Sequence, residues 1–354
     1  MGKRILLANT LTLCKLDKLT RRINNNVLTI FNYHRIFNEK QPPKTKFDNG
    51  VFGVSQKILY EQLNYLKKHT KILDEPSLIK KIKKGKLGKG PFSMITFDDG
   101  YIDNYQLAIP ILKKLNLTAA FFIPYSLIEK RILGWWDQIA YIIKNSSKKH
   151  LNCFGYNSKL QGNKLEAIAF FHQIMKTLPF RKTVNLIKEL SDATDSLPPS
   201  SEEMSNQLMT WKHIKEIQNQ GHTIGSHTCR HLVLATLEPQ EQLNEIAQSK
   251  KLIEAKIGTI VRSIAYPVGG TKHFNNTTQK LVVKTGYNLA FSFNTGSESL
   301  SCLNPYAVPR VEAPKDLQTF KAKINFPQLM VYKAKPTTTH PTKANQFESP
   351  NYCQ

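Results

Sequence analysis

The 354-residue chain carries 50 Lys+Arg against 26 Asp+Glu, a formal net charge of +24, and is 40% hydrophobic. This allows a sizeable core in one large domain or two small ones, and the charge admits nucleic acid, an anionic membrane surface or an acidic polymer as partner without choosing among them. Five scattered cysteines with no CxxC pair argue against a disulfide framework and a cysteine-based zinc site, and no run approaches the roughly 20 apolar residues of a membrane span.

In chain order, residues 1–26 form a basic segment with a short apolar patch interrupted at Lys15. The patch is too short for a signal peptide, so a surface helix is expected, with peripheral contact to an anionic membrane surface as the alternative. The expected location is accordingly cytoplasmic, or membrane-peripheral in that alternative. Runs rich in β-branched and aromatic residues then recur at Val27–Tyr33, Ser93–Phe97, Ala119–Ile123, His222–Ser226, Ser263–Pro267 and Leu289–Asn294. Helical patterns lie between them. Ile58, Leu59, Leu63 and Leu66 share one face, as do Leu243, Ile246, Leu252 and Ile253. Strands alternating with helices predict parallel strands joined by crossovers, an α/β sheet or a (β/α) barrel. The lysine-rich run Lys80–Gly90 has no interleaved aromatics and reads as a solvated loop rather than a nucleic-acid groove. From about 138 to 207 the rhythm breaks into a polar, helical stretch expected as an insertion on the rim. Residues 333–354, polar and Pro/Thr-rich, read as a disordered tail.

The chemistry concentrates at strand ends. Asp98 and Asp99 close the apolar run Ser93–Phe97 and precede Gly100. Carboxyl ends of strands are where barrels and open α/β sheets gather active sites. Neighbouring residues there point in different directions, so two adjacent acids suit two jobs: one on a metal, one on a proton. His227 and His231 follow the run His222–Ser226. Two imidazoles at that spacing can share a cation, and with one Asp they make the three-ligand set of an open catalytic metal site. Thr228 stands where the HExxH signature requires Glu.

The segments Thr96–Tyr101 (TFDDGY), Ser226–His231 (SHTCRH), Ala265–Gly270 (AYPVGG) and Val308–Ala313 (VPRVEA) resemble, in this order, the motifs of the polysaccharide deacetylase family. This is carbohydrate esterase family four, also called the NodB-homology domain. Asn32–Ile36 (NYHRI), Gly134–Gln138 (GWWDQ) and Met209–His227 are similar to one bacterial branch of it. The resemblance spans residues 27–320 and implies a distorted (β/α) barrel with a helical insertion on its rim. It implies Asp98 as the base that activates water, and Asp99, His227 and His231 as ligands of a divalent metal, usually zinc. Tyr266 would line the site, its backbone N–H helping to stabilise the oxyanion. The implied substrate is an acetylated glycan, as polysaccharide, oligosaccharide or lipid-linked saccharide, losing N-acetyl groups to give an amine and acetate. No specific nucleic-acid partner is implied.

Two departures from the family pattern shape the expectations. Many relatives carry an Arg in the third motif, where this chain has Ala265 and Tyr266, so Arg310 is expected to reach Asp98 from another loop. Many also carry a late Leu-x-His motif whose His is the general acid. No His follows Arg310 in the segment to Pro314, which leaves His34 as a candidate. Trp135 and Trp136 suit either sugar stacking or core filling. Asp137 suits a loop contact or a helix cap, and His150 and His172 carry no pattern. Two other readings stay open: a catalytically inactive carbohydrate-binding relative, and a basic binder of anionic surfaces.

Overall fold

The computed structural model describes residues 27–326 apart from 41–44, 86–87, 89, 295–297 and 300–302; the expected basic segment 1–26 and tail 333–354 lie outside the described residues. The chain begins with β1 (Val27–Tyr33), β2 (Arg35–Phe37), β3 (Phe52–Ser55), α1 (Gln56–His69), β4 (Lys71–Ile72), α2 (Glu75–Lys83) and β5 (Phe92–Asp98). A short π-helical stretch (Asn104–Ala108) leads into α3 (Ile109–Leu115), followed by β6 (Ala120–Ile123) and α4 (Tyr125–Lys130). Next come α5 (Trp135–Asn145), β7 (His150–Cys153), β8 (Tyr156–Lys159), α6 (Lys164–Met175), α7 (Phe180–Thr194) and α8 (Ser201–Ser205). The last part holds α9 (Trp211–Asn219), β9 (Thr223–Ser226), α10 (Pro239–Ile257), β10 (Ser263–Ala265), α11 (Asn276–Lys284) and β11 (Leu289–Ser292). It ends with β12 (Glu298–Ser299), β13 (Val308–Pro309), β14 (Val311–Glu312) and α12 (Leu317–Asn325). The lysine-rich run expected as a loop therefore starts inside α2, where Lys80, Lys81 and Lys83 occupy the last turn and favour the negative end of the helix dipole.

The main sheet runs β12-β1-β5-β6-β9-β10-β11-β13, with β4 on β5 and β14 on β1. From β1 to β13 the pairings are parallel. The segment around Arg310 completes the circle. Val308–Pro309 pairs with β11 and Val311–Glu312 pairs with β1, so one extended segment spans the gap and nearly closes a barrel. This is the distorted (β/α) barrel expected from the sequence.

Side-chain alternation divides the barrel into two apolar layers. Leu28, Ile30, Phe92, Met94, Ala120, Phe122, Ala265, Leu289, Phe291 and Val308 pack together inside. The alternate residues, among them Phe31, Tyr33, Ile95, Phe97, Phe121 and Ile123, pack outward against Leu59, Leu63 and Leu66 of α1 and other helices. Every residue of β5 is buried, as a parallel strand covered on both faces requires. Full burial of each Phe, Met or Ile contributes roughly 1.5–3 kcal/mol. The parity that sends Phe92, Met94 and Thr96 inward also sends Asp98 inward, at the mouth of an otherwise apolar interior.

The segment from α5 to α8 carries its own core, including Ile139, Ile142, Leu151, Tyr156, Ile168, Phe171 and Leu186. Its helical reading needs one correction. β7 and β8 form an antiparallel hairpin, with Cys153 opposite Tyr156. The two-residue turn, Phe154 and Gly155, has φ of +48° and +81°. Both positive angles match the twist of a tight hairpin. Phe at the first turn position lacks the usual Asn or Asp signal. Among the described residues no helix is long and apolar enough to cross a membrane.

Candidate active site

Asp98 is the last residue of β5, still in register with Phe122 of β6. Asp99 and Gly100 then both turn left-handed, with φ of +73° and +72°. Asp tolerates this conformation better than most residues, and Gly does so without steric cost. The double turn delivers both carboxylates to the same cleft instead of opposite faces of the strand. Both are buried.

Asp98 is clamped. Arg310 Nη1 donates to Asp98 Oδ1 and Nη2 to Oδ2, each at 2.8 Å. Asn32 Nδ2 donates to Oδ2 at 3.0 Å. Asn32 Oδ1 in turn accepts from Arg310 Nη1 at 2.8 Å and from Thr96 Oγ1 at 2.7 Å. The guanidinium lies 5.3 Å from the Phe122 ring centroid and 5.9 Å from that of Phe291, within cation–π range. Burial alone would push the Asp98 pKa up; the Arg310 charge outweighs it and holds the carboxyl well below its ordinary range.

Asp99, His227 and His231 converge beside it. Their ligand atoms all lie within 4.8 Å of one another. Asp99 Oδ1 is 3.6 Å from His227 Nε2 and 3.4 Å from His231 Nε2. His227 Nδ1 donates to the Ala265 carbonyl at 2.7 Å, which leaves Nε2 as the lone-pair nitrogen facing the acids. Burial pulls His227 down to about 4 and His231 well below its ordinary value, so both are neutral near pH 7. Asp99 moves the other way: burial first, then the neighbouring Asp98 and Asp137 charges, push it well up. Its Oδ1 is buried with no hydrogen-bond partner among the described residues. An orphaned carboxylate oxygen facing two neutral imidazole nitrogens is the donor set that a divalent ion such as zinc takes.

The histidine loop is not helical, and Thr228 and His231 adopt φ of +65° and +57°. Buried Glu245 of α10 holds it. Its Oε2 accepts from the Cys229 and Arg230 backbone N–H groups at 3.1 and 2.9 Å, and its Oε1 accepts from Arg230 Nε at 2.6 Å. Thr228 Oγ1 accepts from His231 N at 3.1 Å. On the outer side Trp136 packs against the His231 ring, centroids 4.5 Å apart. Trp136 Nε1 donates to Tyr101 Oη at 2.6 Å, which donates to Asp137 Oδ2 at 2.7 Å. Asp137 also accepts the Asp48 N–H at 2.9 Å, so it orients a loop rather than capping its helix.

Tyr266 lines the cleft, but its expected oxyanion contact does not form. Its backbone N–H donates to the Phe291 carbonyl at 2.9 Å, and its hydroxyl donates to Tyr306 O at 2.8 Å. The strand ladder consumes the N–H that the motif suggested. Val268, two residues on, is the strained position. Its φ is +60°, and the Gly269 N–H donates to Pro267 O across it at 2.6 Å. A β-branched residue in that region is an outlier.

The cleft holds about 200 Å³ and is lined by His34, Asp98, Asp99, His227, His231, Tyr266, Val268 and Arg310 from the barrel. Asp48, Trp135, Trp136, His172 and Lys176 form another part of its wall. His172 and Lys176 come from the end of α6, a helix whose sequence carried no pattern pointing there. Glu245 was equally unmarked. Asn32 and Tyr101 entered only as members of the NYHRI and TFDDGY segments, and Asn32 carries a further signal: a polar residue in the inward parity of Leu28 and Ile30. A neighbouring cavity of about 240 Å³ shares Trp135 but is mainly apolar, with Leu127, Leu133 and Leu232 in its wall, so the acid and imidazole chemistry is confined to the smaller cleft.

A family model described as polysaccharide deacetylase matches residues 86–290, more than half of the chain. The Bacillus subtilis (strain 168) protein YxkH, whose name refers it to the polysaccharide deacetylases, is 29% identical over 218 residues, 62% of this chain and 50% of the relative. The match thus spans about half the length of that curated relative. Among solved structures, deacetylase PplD of Streptococcus pyogenes, in complex with acetate, superposes with a TM-score of 0.56 at 19% identity over 87% of this chain and 99% of its own. A de-N-acetylase from Aggregatibacter actinomycetemcomitans gives a TM-score of 0.55 at 16% identity over 83% of this chain and 98% of its own. At these identities the likeness is one of fold.

Proposed function

This chain belongs to the polysaccharide deacetylase family, and we propose that it is a metal-dependent hydrolase removing N-acetyl groups from an amino-sugar-containing glycan. The observation that carries the reading is the adjacency of two differently treated acids. Asp98 is clamped by Arg310, while Asp99 Oδ1 faces His227 and His231 without a partner. Asp99, His227 and His231 would hold a divalent ion, zinc by donor type. Such an ion lowers the pKa of bound water and polarises a carbonyl.

The chain's own groups account for the proton traffic. A carboxylate offers about four acceptor positions. Arg310 and Asn32 fill three on Asp98, leaving one on Oδ1 to take a proton from water. The clamp fixes the direction of that remaining lone pair and keeps the group ionised. His34 lines the same cleft; burial lowers its imidazole pKa and the Asp98 charge only opposes that shift, so we assign it as a neutral relay that passes the proton taken from water to the departing amine. The half-buried Trp135 indole offers apolar surface for a sugar ring at the cleft wall.

The direct test is elemental analysis of the purified protein paired with acetate release from acetylated glycans. Roughly one divalent ion per chain, with acetate release from an N-acetylated oligosaccharide that chelation abolishes, is the expected result. Metal-free protein that retains full activity would overturn the reading. His34→Gln should lower kcat on the order of a hundredfold with KM little changed, the usual worth of a proton-transfer group. An unchanged kcat removes His34 from that role. Arg310→Lys keeps a positive charge but not the planar fork. Loss of the second hydrogen bond to Asp98 should cost about tenfold in kcat while bound metal stays near the wild-type level. Equal kcat in Arg310→Lys would mean that the clamp's geometry does not matter.

A further inference from the structure

The segment between α5 and α8 brings an unneutralised cation to the cleft. Lys176, at the C-terminal end of α6, lines the wall beside His172 and Trp135. Two of the acids facing the same space, Asp98 and Asp99, are already engaged. Asp98 is bound by both Arg310 nitrogens. Asp99 faces His227 and His231. Asp48 Oδ1 accepts the Gly50 N–H at 2.8 Å, and its Oδ2 lies 3.9 Å from His172 Nδ1. No carboxylate among the described residues pairs with Lys176. Its position at a helix end satisfies the dipole but leaves the ammonium available to a ligand.

The positive charge is not isolated. Lys272 and His273, on the loop that follows Ala265–Gly270, lie close enough for the field to overlap. After burial, the Lys176 and Lys272 ammonium groups depress the His273 imidazole. His172 has its pKa lowered by burial, a shift that the Asp48 carboxylate opposes and the Lys176 ammonium adds to. Its Nε2–H donates to Trp136 O at 3.1 Å, which leaves Nδ1 as an acceptor for a sugar hydroxyl. A lysine with this freedom, next to an indole and a hydroxyl acceptor, fits a sugar that carries an oxyanion.

Resting on the deacetylase reading above, we infer that the substrate is an acidic glycan. A carboxylate or phosphate group on or next to the acetylated residue is held by Lys176, with Lys272 adding to the field. The shared chemistry is an oxyanion, and the two sources separate by experiment. Wild type, Lys176→Gln and Lys176→Glu are assayed on three acetylated oligosaccharides of equal length: neutral, uronate-bearing and phosphate-bearing. In wild type kcat/KM for an anionic substrate should exceed that for the neutral one, and the excess should shrink as salt rises. The anionic-to-neutral ratio should fall roughly tenfold in Lys176→Gln, as for one charge-assisted hydrogen bond, and further in Lys176→Glu. Whichever anionic substrate shows the larger fall names the oxyanion source. A wild-type ratio of one, or a ratio that Lys176→Glu does not move, overturns the inference. Calorimetric binding of the same oligosaccharides to the three proteins runs in parallel. If no substrate releases acetate, the deacetylase reading fails, while a Lys176-dependent affinity for the anionic ligand still decides the site.

Discussion

Asp98→Asn should leave metal content nearly intact while acetate release falls by a factor of about 10² to 10⁴, the usual worth of a general base. The amide has the shape of the carboxylate but cannot take the proton. It also has one oxygen where three donated hydrogens now point, from Arg310 Nη1, Arg310 Nη2 and Asn32 Nδ2. The amide NH₂ must face one of these donors, and the buried Arg310 loses its counter-charge. Breaking a buried pair from one side costs roughly 3–5 kcal/mol, so the single variant should also melt lower. Stability and catalysis then need separating. Asp98→Asn combined with Arg310→Met removes both charges, a change that is often neutral for folding when the volume is kept. The double variant should melt closer to wild type than Asp98→Asn and remain as inactive. Activity recovering along with melting temperature would show that Asp98 acts only through the fold. Full activity in Asp98→Asn would remove it from the chemistry.

How far the sequence reaches depends on how local each signal is. Parallel strands buried on both faces are continuous apolar runs, and for that reason Val27–Tyr33, Ser93–Phe97 and Leu289–Asn294 announce β1, β5 and β11 within a residue or two. β13 and β14 hold two residues each on either side of Arg310, too short for any periodicity to register. Yet they nearly close the barrel. Arg310 was legible only through the family resemblance, whose third-motif Arg is replaced here by Ala265 and Tyr266. His227, His231 and one of the two adjacent acids could be named from strand-end placement and spacing, whereas the choice of Asp99 over Asp98 as ligand came from the family resemblance. Tyr266 exposes the limit of that argument. Its residue type and position were right for lining the cleft, but whether its N–H is free depends on the pairing of β10 with β11. His172 and Lys176 were illegible for another reason. The pattern of α6 reports the core face made by Ala167, Ile168, Phe171 and Met175, and nothing in it reports where the helix ends relative to the barrel. Of the two tryptophans that suited either sugar stacking or core filling, Trp136 is buried against His231 and half-buried Trp135 lines the cleft.

The three proposed ligands should fail in two distinguishable ways. His231→Ala deletes a donor nitrogen, so metal affinity should fall by more than the ten- to a hundredfold that loss of an outer hydrogen-bond partner costs. Acetate release should fall with occupancy. Asp99→Asn keeps one oxygen in place and removes the charge, so its occupancy should be lowered but partly restored by added metal. Metal-free protein supplies a second, sharper readout. There Asp99 is a buried acid with an unpartnered oxygen, close to the like charges of Asp98 and Asp137. Neutralising it removes a destabilising group. After chelation, Asp99→Asn should therefore melt higher than wild type, and with saturating metal it should melt lower. An aspartate kept only for structure would give the first comparison the opposite sign. Melting curves of both proteins with chelator and with metal, alongside bound metal per chain, make the test. Wild-type metal content in Asp99→Asn, or a lower melting temperature for it in both conditions, would mean that this acid does not hold the ion.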